Sequence, residues 1–254
     1  MRKSQTKFQS NVTDETVSAL KKYQVTVLGK EGIVPLLKFE LIMLLCSWVP
    51  GALGFVLRKV FYKSLFAEIG QGVVFGRNLV LRHPHKIKIG SHVMIDDQCV
   101  LDAKGCESAE FVLGNNVIVS RGCVLSAKSG RLLIGDNVNF GAHCLLYSGK
   151  EIRIGHDTLF AAQCYIGGSM YHLDEPDVPP IQQGSYARGV SIGSGCWLGA
   201  GAKVLDGVEI GDGVIMGAGA IANKTLEAFT IAVGIPAKVI KQRKAEKESM
   251  TRES

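Results

Sequence analysis

Residues 190–222 read VSIGSGCWLGAGAKVLDGVEIGDGVIMGAGAIA, and a large apolar side chain returns at every sixth place: Ile192, Leu198, Val204, Ile210 and Met216, with Ala222 closing the run. Glycine follows at 193, 199, 211 and 217. A period of six is neither the helical 3.6 nor the strand period of two. It fits a triangular coil, in which each hexad supplies one short strand and one corner. The large residue points inward, and the glycine after it permits the tight turn. Three hexads make an eighteen-residue coil. Coils stacked at the parallel-strand spacing of about 4.8 Å bring equivalent residues into line.

The same beat runs upstream through Ile89, Ile95, Leu101, then Leu113, Val119, Leu125, then Ile134, Phe140, Leu146, then Ile154, Phe160, Ile166. Coil starts at 89, 113, 134, 154, 192 and 210 are separated by 24, 21, 20, 38 and 18 residues. The excess over eighteen is what each coil extrudes. The fourth coil extrudes by far the most, around the segment 167–191, and His172 lies in it. Loops on rigid scaffolds commonly carry function. Pro176, Pro179 and Pro180 stiffen this one. An imidazole near neutral pKa can accept a hydroxyl proton as the oxygen attacks a carbonyl. Asp174 and Glu175 are the carboxylates close enough in sequence to orient the ring. His143, three residues after Phe140, is placed on a strand facing out, in the coil beneath the extruded loop.

Five of the seven cysteines, Cys99, Cys123, Cys144, Cys164 and Cys196, fall four residues after a hexad aliphatic. That is the second, smaller inward position, so they read as small buried hydrophobes, four of them in one column. No CxxC occurs, and no metal ligand set or disulfide is expected.

Ahead of the repeat, residues 14–28 suggest a helix capped by Thr13. The segment 33–66 follows, with a mostly apolar window at 36–57 that approaches the roughly 20 residues a bilayer span needs. Lys38 and Glu40 lie inside it, Pro50-Gly51 breaks it, and lysines and arginine flank both ends. These features favour a helix-break-helix dipping into one leaflet from the cytoplasmic side over a simple span. The alternative is a soluble helical pair packed on the coils or on neighbouring subunits. The polar start of the chain carries no cleaved signal peptide pattern. With 29 basic and 23 acidic residues the net charge is +6, suited to an anionic cofactor or membrane surface and too diffuse for nucleic acid.

The hexads resemble those of the hexapeptide-repeat acyltransferase superfamily. The resemblance implies a mainly β fold, a left-handed parallel β-helix, where general crossover preferences would give the right-handed form. The implied division is residues 1–69 helical and membrane-associated, 70–235 the β-helix, and 236–254 a basic helix and tail. GGSMYHLDEPDVPP resembles the acceptor-site segment of the galactoside, maltose and nodulation-factor acetyltransferase branch, which makes His172 the general base in direct transfer from acetyl-CoA. Residues 190–226 resemble that branch's CoA-binding coils. The implied donor contacts are Gly199, Ala200 and Ala218 along pantetheine, with Asn223, Lys224 and, in GIPAK, Lys238 toward the phosphates. Trp197 either packs on that arm or fills a subunit seam. Asn139 and His143 are acceptor-side candidates. The branch also implies a homotrimer with its sites between subunits.

The expectation is an acetyl-CoA-dependent O-acyltransferase acting on a glycan or lipid-linked sugar at the cytoplasmic face of the inner membrane. N-acetylation of an amino sugar is its nearest variant. The rivals are a zinc carbonic anhydrase on the same coil and a non-catalytic, membrane-anchored scaffold or sugar-binding module.

Overall fold

A computed structural model describes residues 16–243. The chain winds through three parallel sheets, hereafter the first, second and third faces of a prism. On the first face Ile89, Leu113, Ile134, Ile154, Ile192 and Ile210 stand in register. The second face aligns Ile95, Val119, Phe140, Phe160, Leu198 and Met216. The third aligns Leu101, Leu125, Leu146, Ile166, Val204 and Ala222. Every one is buried. Each such large side chain is worth about 1.5–3 kcal/mol when fully buried, so the columns are the core. Phe140 stacks on Phe160 with ring centroids 4.8 Å apart. The ladder also extends beyond the hexads read from sequence. Ile69, Phe75 and Leu81 form a coil below, and Leu226 and Ala232 begin one above.

Between the second and third faces the chain turns through a residue at positive φ in coil after coil: Gln98, Gly122, His143, Gln163, Gly201 and Gly219. Glycine takes this conformation freely, and polar side chains tolerate it at some cost. His143 therefore sits in a corner, not on a strand, and its ring lies over Gly122. Cys99, Cys123, Cys144 and Cys164 form the buried column expected of them, as free thiols. Each donates to a corner carbonyl of the next coil, as Cys99 does to Ser120 at 3.2 Å and Cys123 to Gly141 at 3.1 Å. Burial pushes the Cys99 thiol up to about 12, far from a reactive thiolate.

Among the described residues three helices precede the coils. The first, α1, spans Ala19–Tyr23, is capped by Ser18, and runs on as a wider turn to Leu28. Thr13, the cap expected from sequence, lies outside the described residues. The others, α2 (Ile33–Cys46) and α3 (Gly51–Phe61), are parted by the break at Pro50-Gly51. One face of α2, through Phe39, Ile42 and Cys46, is buried. Arg58 of α3 is fully buried, donating to Phe75 O at 2.9 Å and to Val49 O at 2.8 Å. It ties the helix break to the second face of the lowest coil. No helix among the described residues is long and apolar enough to cross a membrane.

The basic C-terminal helix expected at 236–254 is corrected for its first part. Lys238–Gln242 is a strand, antiparallel to Thr230–Val233. The topmost strand of the second face would otherwise expose an unpaired edge, and β-branched Val239 and Ile240 suit pairing with it better than a helix. Residues 244–254 lie outside the described residues.

Candidate active site

The extruded segment leaves the third face after Tyr165–Gly168 and rejoins the first at Val190–Ile192. Its stem is a short antiparallel pair, Met170–Tyr171 against Ser185–Tyr186. One carboxylate fixes the returning strand: Asp206 accepts from the amides of Arg188 at 2.8 Å and Gly189 at 2.9 Å. Within the loop the Gln183 side chain accepts from Glu175 N at 3.1 Å and donates to Glu175 O at 2.8 Å and Val178 O at 2.6 Å. The loop is thus an ordered excursion, held by one amide side chain where secondary structure offers no ladder.

His172 follows the stem, its amide bonded to Gly184 O at 3.1 Å. Its side chain is 51% exposed, with Nδ1 3.8 Å from Asp174 Oδ2. That separation is too long for a hydrogen bond. The Tyr186 ring stands 5.0 Å from the imidazole. The Arg188 guanidinium lies 5.8 Å above the other ring of this pair, that of Tyr186. Of the two carboxylates suggested as orienting groups, Asp174 is the one at the imidazole, while the Glu175 backbone belongs to the Gln183 staple. Tyr186, Arg188 and Gln183 were not picked out from sequence. Only the hairpin pairing brings residues 172 and 186 together.

A second feature runs along the corner between the second and third faces. Gly141-Ala142, Ala161-Ala162, Gly199-Ala200 and Gly217-Ala218 stack there, coil on coil. Gly219 N bonds to Ala200 O at 2.8 Å, and Gly201 N to Ala162 O at 2.9 Å. A Cβ at 199 would come within 2.6 Å of Ala218 N, so this position takes glycine, whereas the equivalent Ala161 carries its methyl in the coil below. Ala200 and Ala218 are exposed. At 199–201 and 217–219 this corner carries no side chain larger than methyl, with His143 and Gln163 on the coils below, so a slender, amide-bearing arm can lie along its upper part.

Trp197, 50% exposed, faces outward on the second face beside this strip, two strands above Asn139 in the same column. Lys238 pairs with Val233, whose side chain packs against Gly217, so it stands at the strip's upper end. Asn223 and Lys224 do not join them. They follow the third-face strand Ile221–Ala222 and are exposed at the corner that also extrudes the His172 loop. His143 lies on the strip's corner, lower down. The residues expected to form one site are therefore divided between two corners of one chain. His172, Asp174, Glu175, Asn223 and Lys224 are on one, and His143, Gly199, Ala200, Ala218 and Lys238 on the other, with Trp197 and Asn139 beside it. The larger concavity, about 350 Å³ and lined by Ser191, Glu209, Asp212 and Glu227 among others, involves none of them. Among the described residues no three His, Cys, Asp or Glu side chains converge as a metal ligand set.

Residues 189–223 match the family model described as bacterial transferase hexapeptide (six repeats). A probable acetyltransferase of Mycobacterium tuberculosis is 33% identical over 137 residues, covering 54% of this chain and 46% of that protein. The putative lipopolysaccharide biosynthesis O-acetyl transferase WbbJ of Escherichia coli is 34% identical over 120 residues, covering 44% and 61% respectively. The chain thus spans about half the length of the first of these relatives. A variant of AntD, an N-acyltransferase from Bacillus cereus bound to dTDP-4-amino-4,6-dideoxyglucose and coenzyme A, has the same fold. It aligns with a TM-score of 0.53 at 21% identity, over 78% of this chain and 92% of that one.

Proposed function

We propose that this chain, which carries the hexapeptide repeat of the bacterial transferase superfamily, is an acyl-CoA-dependent acyltransferase acting on a sugar. The donor is acetyl-CoA and the acceptor a hydroxyl of a glycan or lipid-linked sugar. The observation that carries this reading is the pairing of two features: an ordered loop that presents His172 beside Tyr186, and the bare Gly-Ala strip within the matched residues. The likeness to WbbJ supports the O-acyl form.

In this reading pantetheine lies along Ala200 and Ala218, where the corner leaves room for it, and Lys238 meets its phosphates as a point charge. His172 accepts the acceptor's hydroxyl proton as the oxygen attacks the thioester carbonyl. The carbon–oxygen bond forms, the carbon–sulfur bond breaks, and the thiolate leaving group takes up a proton. Asp174, 3.8 Å from Nδ1, is the carboxylate beside the ring. Tyr186 offers an apolar ring face to the sugar. The cysteines take no part, being buried thiols.

Because one chain divides these parts between two corners, the site is completed by a neighbouring copy, and a trimer is the assembly proposed. The outward column of the second face supports contact there. It runs Val74, Met94, Ile118, Leu159, Trp197 and Ile215 with only Asn139 polar, whereas the first face shows Glu68, Lys88, Arg153 and Glu209. The N-terminal helices hold the assembly at the cytoplasmic face of the plasma membrane in this reading. An amino-sugar acceptor is the second reading, favoured by the sugar in the AntD complex.

Detergent-purified protein incubated with labelled acetyl-CoA and a membrane glycolipid extract tests this. Alkali-labile label on glycolipid is the expected product. Alkali-stable label selects the amine, and glycan binding without thioester cleavage selects the scaffold.

A further inference from the structure

A helix on a globular surface ordinarily has one apolar face. Here α2 is apolar on both. Phe39, Ile42 and Cys46 pack inward, and on the other side Val34, Leu37, Leu41, Leu44 and Leu45 are 53–78% exposed. Trp48 at the break and Leu53, Val56 and Val60 of α3 are exposed to the same degree, 57–64%. Such a surface far exceeds the scattered apolar residues of a soluble monomer.

The two charges inside α2 are drawn back toward the body of the protein. Lys38 Nζ donates to Ser64 O at 2.7 Å, and the Tyr23 hydroxyl donates to the Glu40 carboxylate. The remaining charge is at the edges and is positive. Residues 19–66 hold seven lysines and arginines against two glutamates. One glutamate is engaged by Tyr23, and the other, Glu31, pairs with Lys21 at 3.6 Å. Lys30, Lys59 and Lys63 remain at the ends of α2 and α3, all exposed. Lys30, Lys38 and His85 also line a small recess of about 60 Å³ between α2 and the lowest coil.

We infer that α2 and α3 form an interfacial hairpin that docks the protein on an anionic phospholipid bilayer, with the apolar outer side in the acyl region and the lysines among the headgroup phosphates. Helix lengths agree with lying in the interface. Fourteen residues reach about 21 Å and eleven about 16 Å, short of the roughly 30 Å hydrocarbon core. Charge selects the occupant. A second copy seated on this face would bring its own lysines against these with no free carboxylate to meet them. An anionic leaflet neutralises them. The inference deepens the proposed function, which set the protein at a membrane without naming the surface.

The full chain, freed of detergent, is sedimented with vesicles of phosphatidylglycerol and phosphatidylcholine, or of phosphatidylcholine alone. The wild type is expected on both, about tenfold more tightly on the anionic vesicles. Leu45→Glu with Val56→Glu alters only exposed positions and should lower binding at least tenfold with circular dichroism unchanged. Lys30→Gln, Lys59→Gln and Lys63→Gln together should abolish the anionic preference and leave the residual binding. Protein that stays in solution with both vesicles, or a Leu45/Val56 variant that binds like wild type, overturns the inference. So does a variant that loses self-association by light scattering while keeping vesicle binding, which makes a second copy the occupant. Vesicle binding needs no acyl-CoA, so docking without thioester cleavage removes the enzyme reading alone, and cleavage without docking removes this one alone.

Discussion

His172 and Ala200 stand at opposite edges of the third face. The strand before His172, Tyr165–Gly168, pairs in parallel with Lys203–Leu205, and Ala200 lies before the start of that second strand while His172 lies after the end of the first. The width of the face separates them: the chain runs from the corner at Ala200 through the strand Lys203–Leu205 to the next corner at Asp206. Under the proposed function, a base at one and a thioester at the other would meet across a boundary between copies.

Mixing two inactive variants tests this directly. His172→Ala lacks the base, and Ala200→Trp blocks the strip. Copurified as mixed trimers, they should recover about a third of wild-type activity, because one boundary in three joins an intact imidazole from one copy to an intact strip from the next. Recovery absent from mixed oligomers of verified composition places the whole site within one chain.

Alone, His172→Ala is expected to lower kcat about a hundredfold or more, the usual contribution of a general base. Coenzyme A affinity, measured by calorimetry, should stay within twofold. Tyr186→Leu leaves the base intact, and its expected signature is a raised KM for the acceptor with kcat little changed.

Ala200→Trp and Ala218→Leu place bulk on exposed corner positions, where folding tolerates it. Ala218→Leu should raise KM for acetyl-CoA about tenfold, and Ala200→Trp should leave no measurable turnover, through lost access of the arm. Unchanged KM in both assigns the donor elsewhere.

Phe160→Ala removes a fully buried ring stacked on Phe140. The expected loss is about 3–5 kcal/mol, read from urea unfolding. A column packed on both sides cannot collapse around the gap without shifting its coils.

Stability should also fall with acid through His85. Burial first, then the charges of Lys30, His83 and Lys86, depress its pKa to about 4. A depressed pKa means the unfolded chain takes up the proton first. The contribution is therefore full above the unfolded value near 6.5 and is lost as pH falls from there through about 4. His85→Asn should flatten the dependence of the urea midpoint on pH across that window.

The hexad residues were legible because burial in a coil repeats. Each inward position recurs at a constant interval, and all eighteen named from the sequence are buried columns. The outermost coils fall, but for Glu68–Ile69, within the expected 70–235, but their inward residues were not named, since Ile69 and Leu226 stand next to segments that break the beat. His143 was assigned to the wrong local structure. Its spacing matched an outward strand position, yet the same offset in every coil is where the backbone takes positive φ. The C-terminal strand was missed for a related reason. Lys238–Gln242 carries a basic composition that suits a helix, and only the open edge above it makes it a strand.

The sequence by itself determined the prism, its inward columns, the break at Pro50-Gly51 and the segment that must be extruded, because each follows from local spacing and backbone freedom. Tertiary structure alone decided which side chains meet: Tyr186 with His172, Asp206 with the returning strand, and the separation of His172 from the Gly-Ala strip. Those relations depend on which corner a residue reaches after many turns of the coil. A linear reading carries the period of the winding but not the neighbours it creates.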